Sequence, residues 1–329
     1  MLLIMINIAL GFLTVLVGGW LFTNSMEYLS HRYRIGGSFV GAVISPILTS
    51  FPELIVFLVA LLLYGGVSGE DVAVGTVIGE PFVVSTVIYP LIFLIALIGF
   101  YRGSRDDLVL EVGRELVIPF IIVIALFPTV LLPAVIRSFI VRYLIASLLI
   151  IIYLLYVHAM RKRGGLIVEE AEKLYLAKVL GLGDVIALIM QLIVSVSLLY
   201  LGSKLLVSSI IDLSRIVMLD VMGLSIIIIP TATVLPESVT AVIWVLRGRD
   251  TMAVAALIGE KVLYSTIYPA LALLLTRWVL TYEAVLSVII VEAVSLAMLY
   301  HVVRGRLTWG VPLIGLLGYV IYVLLLTIH

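Results

Sequence analysis

The chain of 329 residues has no cysteine and very little charge. Without thiols there can be no disulfide, thiolate nucleophile or Cys-ligated metal. Charged residues make up 12% of the chain, 20 basic against 20 acidic, so the formal net charge is zero. Nothing in that balance points to nucleic acid or another acidic partner. The four histidines, His31, His158, His301 and His329, fall near the ends of apolar segments, and no HExxH occurs. An imidazole metal centre within the membrane is therefore excluded. A phosphate-binding loop and a nucleophile–base pair are also missing. An intramembrane enzyme would have only its Glu pairs as acid and base, so we expect no enzyme and no cofactor.

What the chain has in abundance is apolar surface. It is 64% hydrophobic, with a mean hydropathy of +1.32. A soluble domain needs far less, so the composition is that of a polytopic membrane protein. A bilayer core about 30 Å thick takes roughly 20 apolar residues per helix. The two-residue alternation of a membrane barrel is absent, which leaves helices. The expected fold is all-α, with ten spans near 2–28, 37–63, 71–100, 114–132, 136–160, 180–211, 221–246, 251–276, 281–303 and 309–328. The N-terminal stretch has no basic leader and reads as a first span rather than a removable signal.

Loop charge sets the expected orientation. Loops after odd-numbered spans hold fourteen of the twenty basic residues, among them Arg102, Arg105, Arg161, Lys162, Arg163, Arg247, Arg249, Arg304 and Arg306. The other loops hold only Arg137, Arg142, Arg215 and Arg277. The positive-inside rule then puts both termini outside a cell membrane. The most hydrophilic segment, residues 161–178, reads as a cytoplasmic linker between a first membrane repeat, 1–160, and a second, 179–329.

The halves match at a constant offset. "SPILTSFPE" (Ser45–Glu53) faces "IPTATVLPE" (Ile229–Glu237), 184 residues on. Gly18, Pro46, Thr49, Pro52 and Glu53 meet Gly202, Pro230, Thr233, Pro236 and Glu237. At offset 180, "IGEPFVVSTVIYP" (Ile78–Pro90) faces "IGEKVLYSTIYP" (Ile258–Pro269), with one gap before Tyr-Pro. Five spans per half make the repeats inverted, an arrangement common in secondary transporters that bind at the midplane on interrupted helices.

These residues suit a hard cation. Pro lacks an N–H, so carbonyls one turn earlier lose a donor, a cost in hydrocarbon unless something else satisfies them. Thr49 and Glu53 are four apart and share a helix face, with Ser50 beside them. An inverted copy brings a second carboxylate and further hydroxyls, an all-oxygen set suited to Ca2+, Na+ or a similar ion. An ionised Glu at a span centre costs on the order of 3 kcal/mol, so a symmetric pair implies a use. Glu80 and Glu260, each after a glycine, form a second symmetric pair. They either line the same site or pair with Lys261, whose mate in the first half is Pro81. Lys261 either lowers the charge of the site or stands in for one transported ion. Glu292 and Asp184 read as peripheral proton groups or as residues buried against another helix.

At these motifs the chain resembles the cation/Ca2+ exchanger superfamily (sodium/calcium exchanger membrane region, archaeal and bacterial type) as a divergent member. That family has ten core helices in two inverted halves, each with a repeat reading roughly G-T-S-L-P-E and then G-S-N. Here the first part is Leu48-Thr49-Ser50-Phe51-Pro52-Glu53 and Ala232-Thr233-Val234-Leu235-Pro236-Glu237. The second is Gly79-Glu80-Pro81 and Gly259-Glu260-Lys261. "VGGWLFTNS" and "YLGSKLLVSS" look like the family's sliding first and sixth helices. The resemblance implies Glu53 and Glu237 as ligands for Ca2+ alternating with Na+ or H+. It implies hydroxyl ligands at Thr49, Ser50 and Thr233, and backbone oxygens at Pro46 and Pro230. The chain departs from the family by placing Glu80 and Glu260 where it has serine. More carboxylate favours a multivalent ion, and crowded like charge favours a proton as counter-ion. The expected function is a secondary antiporter exchanging Ca2+ or another divalent cation for Na+ or H+ by alternating access. The alternative is a non-transporting membrane scaffold or sensor locked by Lys261. The expected partners are inorganic cations and the lipid bilayer; the oligomeric state is not legible.

Overall fold

Apolar runs set the helices of this protein, and prolines and glycines set where they stop or bend. The structure, a computed structural model, describes residues 1–32, 45–105, 107–162, 173–181 and 183–328. It leaves out the side chains of residues 27, 30–32, 45, 48, 160–162, 236, 237 and 240. The first half holds α1 (Leu2–Arg32), α2 (Ser45–Thr49), α3 (Phe51–Val59), α4 (Gly66–Val83), α5 (Tyr89–Tyr101), α6 (Val117–Leu126), α7 (Leu131–Ile136) and α8 (Phe139–Lys162). A short α9 (Tyr175–Leu180) precedes α10 (Asp184–Val217), α11 (Val221–Leu246), α12 (Asp250–Tyr264), α13 (Ile267–Leu275), α14 (Tyr282–Val303) and α15 (Gly310–Ile328). Among the described residues, eight helical segments are long and apolar enough to cross a membrane, and two shorter apolar ones, Phe51–Tyr64 and Val221–Leu235, complete the ten. The protein is thus an all-α, multi-pass membrane protein of two inverted five-helix repeats. Of the expected linker, residues 163–172 lie outside the described residues.

Several spans are composite. A π-helical turn, Ala60–Tyr64, extends α3. The reversal into α4 runs through Gly65 and Gly66 at φ 52° and 57°, a left-handed conformation that glycine adopts without a Cβ penalty. Another π-helical turn, Val84–Ile88, joins α4 to α5. It follows Pro81 and precedes Pro90, each of which removes a backbone donor.

Three of the loops that the charge pattern groups together, those after the third, seventh and ninth spans, meet on one face. Strand β1 (Leu110–Glu111), after the third span, pairs antiparallel with β2 (Arg306–Leu307), after the ninth. Arg105 makes a bidentate ion pair with Asp250, before the eighth span, at 2.6 and 2.7 Å. On the opposite face, Arg277 Nε donates to Glu70 Oε2 at 3.0 Å, and the Thr281 hydroxyl bonds Asp220 at 3.2 Å.

Two of the helix pairs that cross the repeats pack closely at glycines. Antiparallel α1 and α10 meet at glycines: a Cβ on Gly18 would lie 3.0 Å from Leu199 N, and one on Gly202 would lie 2.8 Å from Val15 N. Gln191 adds a polar tie, its Nε2 bonding Leu21 O, Asn24 Oδ1 and Ser25 Oγ at 2.9–3.0 Å. Parallel α4 and α11 are closer still. A Cβ on Gly79 would sit 2.5 Å from Ile226 O and 2.7 Å from Pro230 Cγ. Among the long spans, the third and eighth are the most buried, and the first and fifth show the most apolar surface outward.

Candidate cation site

The second span breaks at Ser50 (φ −78°, ψ 8°), between α2 and α3. Pro52 has no N–H, so the Leu48 carbonyl loses its helical donor. The Pro46 carbonyl, by contrast, accepts Ser50 N–H at 3.0 Å and lies 3.5 Å from Thr49 Oγ1. Ser50 Oγ bonds Ile47 O at 3.3 Å. Glu53 falls in the first turn of α3, where the helix dipole favours a carboxylate. It is only 1% exposed. Pro46, Thr49 and Ser50 are buried beside it.

The matching stretch of the second half behaves differently. Helix α11 runs unbroken past Pro230 and Pro236. Thr233 is fully buried, its hydroxyl 3.3 Å from Ile229 O and 3.4 Å from Pro230 O. Glu237 lies one turn further along α11, and its side chain is outside the description. The break appears instead in the eighth span, at Ser265 and Thr266 between α12 and α13. Pro269 explains it: the missing N–H would have bonded the Ser265 carbonyl.

Glu80 on α4 and Glu260 on α12 are both buried. Both lie within electrostatic reach of Tyr89, so the structure brings this second pair towards one locus. Gly79, next to Glu80, packs on Pro230. Across the two breaks, the Tyr268 hydroxyl donates to Ser50 O at 2.6 Å and lies 3.0 Å from Ser50 Oγ. Its ring stacks on Tyr264, with centroids 4.2 Å apart. Lys261 makes no ion pair with Glu80 or Glu260 among the described residues; its ammonium bonds two hydroxyls, Ser85 and Ser295. No three Asp, Glu or His side chains among the described residues form a metal-holding group by themselves.

Tyr89, Tyr268, Ser85 and Ser295 were not singled out from the sequence. A signal for the tyrosines was there, because they are mates in the repeated Tyr-Pro (89–90 and 268–269). Asp184 is peripheral, accepting from Tyr28 OH at 2.9 Å.

The inverted spans and broken helices are the architecture of a secondary transporter of the membrane. A family model described as sodium/calcium exchanger protein matches residues 3–161 and 187–328. The chain belongs to that family. Its fold is similar to the crystal structure of the H+/Ca2+ exchanger CAX, with TM-score 0.72 and 16% identity over 98% of this chain and 82% of that one. Native YfkE is similar at TM-score 0.71 and 14% identity, covering 98% and 92%. The sodium-calcium exchanger NCX_Mj, soaked with zero Na+ and Ca2+, is similar at TM-score 0.57 and 19% identity, covering 99% of each chain. Among curated proteins no sequence matches.

Proposed function

We propose that this protein is a secondary antiporter that exchanges Ca2+, or another divalent cation, for Na+ or H+ by alternating access. The observation that carries this reading is the burial of Glu53, Glu80 and Glu260, at 1%, 1% and 6% exposure, inside otherwise apolar spans. A carboxylate is costly to bury in charged form, and such positions suit the binding of a cation or a proton. In this reading Glu53 and Glu237 are the central ligands, from opposite repeats. Glu80 and Glu260 add charge, and Thr49, Ser50, Thr233 and the backbone oxygens near Pro46 and Pro230 complete an oxygen shell. Such a shell fits a hard cation.

Loading the site neutralises its carboxylates, which lowers the cost of carrying them past hydrocarbon. The glycine seam between α1 and α10 supports the movement, because small residues let one helix slide on another. The charge pattern of the loops supports a location in the cell membrane with both termini outside. The test is uptake of several divalent ions into proteoliposomes under imposed Na+ or pH gradients. Gradient-driven uptake of at least one of them is expected. Uptake of none, by protein shown to be folded, would refute antiport.

A further inference from the structure

The exchange reading gives the buried charge of Lys261 no task. Lys261 is fully buried on α12. Its Nζ donates to Ser85 Oγ at 2.9 Å and to Ser295 Oγ at 2.8 Å, and stands 5.5 Å from the centre of the Tyr89 ring. Ser85 donates its own proton to Pro81 O at 2.6 Å, which turns a hydroxyl lone pair towards the ammonium. Glu292 and Glu80 lie within electrostatic reach. Two hydroxyl oxygens, an aromatic face and neighbouring carboxylates make a position for a small monovalent cation.

The repeat supplies a contrast. Ser85 on one side has Ser265 as its mate, and Lys261 has Pro81. Ser265 is fully buried at the break between α12 and α13. Its hydroxyl meets no hydrogen-bond partner among the described residues, which is costly for a buried polar group. Two equivalent hydroxyls therefore differ: one is met by a tethered ammonium, and the other by no partner among the described residues.

We propose that Lys261 is a built-in monovalent cation. It holds the Ser85–Ser295 position permanently and leaves the Ser265 position to a mobile counter-ion. The exchanger then moves one monovalent counter-ion fewer per divalent ion than the same site without the lysine. This rests on the exchange reading.

The test uses the full chain in proteoliposomes under a voltage clamp. The gradient of counter-ion that just cancels a fixed gradient of divalent ion gives their ratio. Lys261→Asn is expected to raise that ratio by one, and Lys261→Arg, which keeps the charge, to leave it at the wild-type value. An unchanged ratio in Lys261→Asn would overturn the proposal. If Lys261→Asn is inactive, thermal unfolding in NaCl against choline chloride at constant ionic strength decides. The proposal expects Na+, or protons supplied by lowering the pH in a parallel series, to raise the Tm of Lys261→Asn more than that of wild type, and equal shifts in both series overturn it. Absence of divalent flux in the wild type would count against the exchange reading itself; the Na+ and pH dependence of Tm would still decide the role of Lys261.

Discussion

The hydroxyl of Tyr268 donates to the carbonyl of Ser50 at 2.6 Å, joining the helix break of one repeat to the segment just past the break of the other. Each residue belongs to a different half of the chain, so neither break can shift without straining the bond or giving it up. The pair thus couples the geometry of the two inverted repeats at the level of the proposed ligands.

Removal of that hydroxyl leaves the Ser50 carbonyl without its cross-repeat donor. Tyr268→Phe should cost about 1–3 kcal/mol of stability and weaken divalent binding. Thermal unfolding at graded Ca2+ concentrations measures both. An unchanged Ca2+ midpoint would show that the bond has no bearing on the site.

The loop face depends on a buried ion pair. Arg105 and Asp250 are 5% and 4% exposed, and Asp250 also accepts Glu111 N–H at 3.0 Å. R105A strands a buried charge and should cost about 3–5 kcal/mol. The double variant R105M/D250L should cost less than R105A alone. Denaturation midpoints in detergent would rank the two.

Helix α4 has no room for a side chain at Gly79. Its Cβ would meet the backbone of Ile226 at 2.5 Å and Pro230 at 2.7 Å. Gly79→Ala should cost about 1–3 kcal/mol by overpacking and displace Glu80 from its neighbours. Both unfolding temperature and ion flux should fall; a variant with wild-type values of both would contradict this packing.

Asp220 caps α11 through a bond from Gly223 N–H at 2.6 Å. Burial raises its carboxyl above the ordinary aspartate range, with Glu283 adding to the rise and the Gly223 N–H and Thr281 hydroxyl opposing it. A raised carboxyl stabilises the fold most at low pH, and that contribution is lost as pH rises through the raised value. Asp220→Asn keeps a capping acceptor without the titration. The Tm of wild type relative to this variant should therefore fall as pH rises through the acid range. A pH-independent difference would contradict the assignment.

Hydropathy made the spans legible: the seventh, expected at 221–246, is the helix Val221–Leu246. Repeat matching made Glu53, Glu80 and Glu260 legible as candidates, because an acidic residue inside an apolar run has few structural uses. The breaks were harder. Helix α11 continues through Pro236 despite the missing donor, whereas Pro52 follows a break and Pro269 creates one. A proline marks where a donor is missing, but the packing of each helix decides whether the backbone opens there. Near Pro230, α11 packs closely on α4 at Ile226 and Pro230. The partners of Lys261 were not legible either, since Ser295 comes from a span outside the matched motifs.

The most direct test of divalent exchange through the paired glutamates is uptake of 45Ca2+ into proteoliposomes holding wild type, Glu53→Gln or Glu237→Gln. Loss of uptake in both variants, with insertion and thermal stability retained, is the expected result. Normal uptake in either variant, or in the double variant Glu53→Gln/Glu237→Gln, would contradict it.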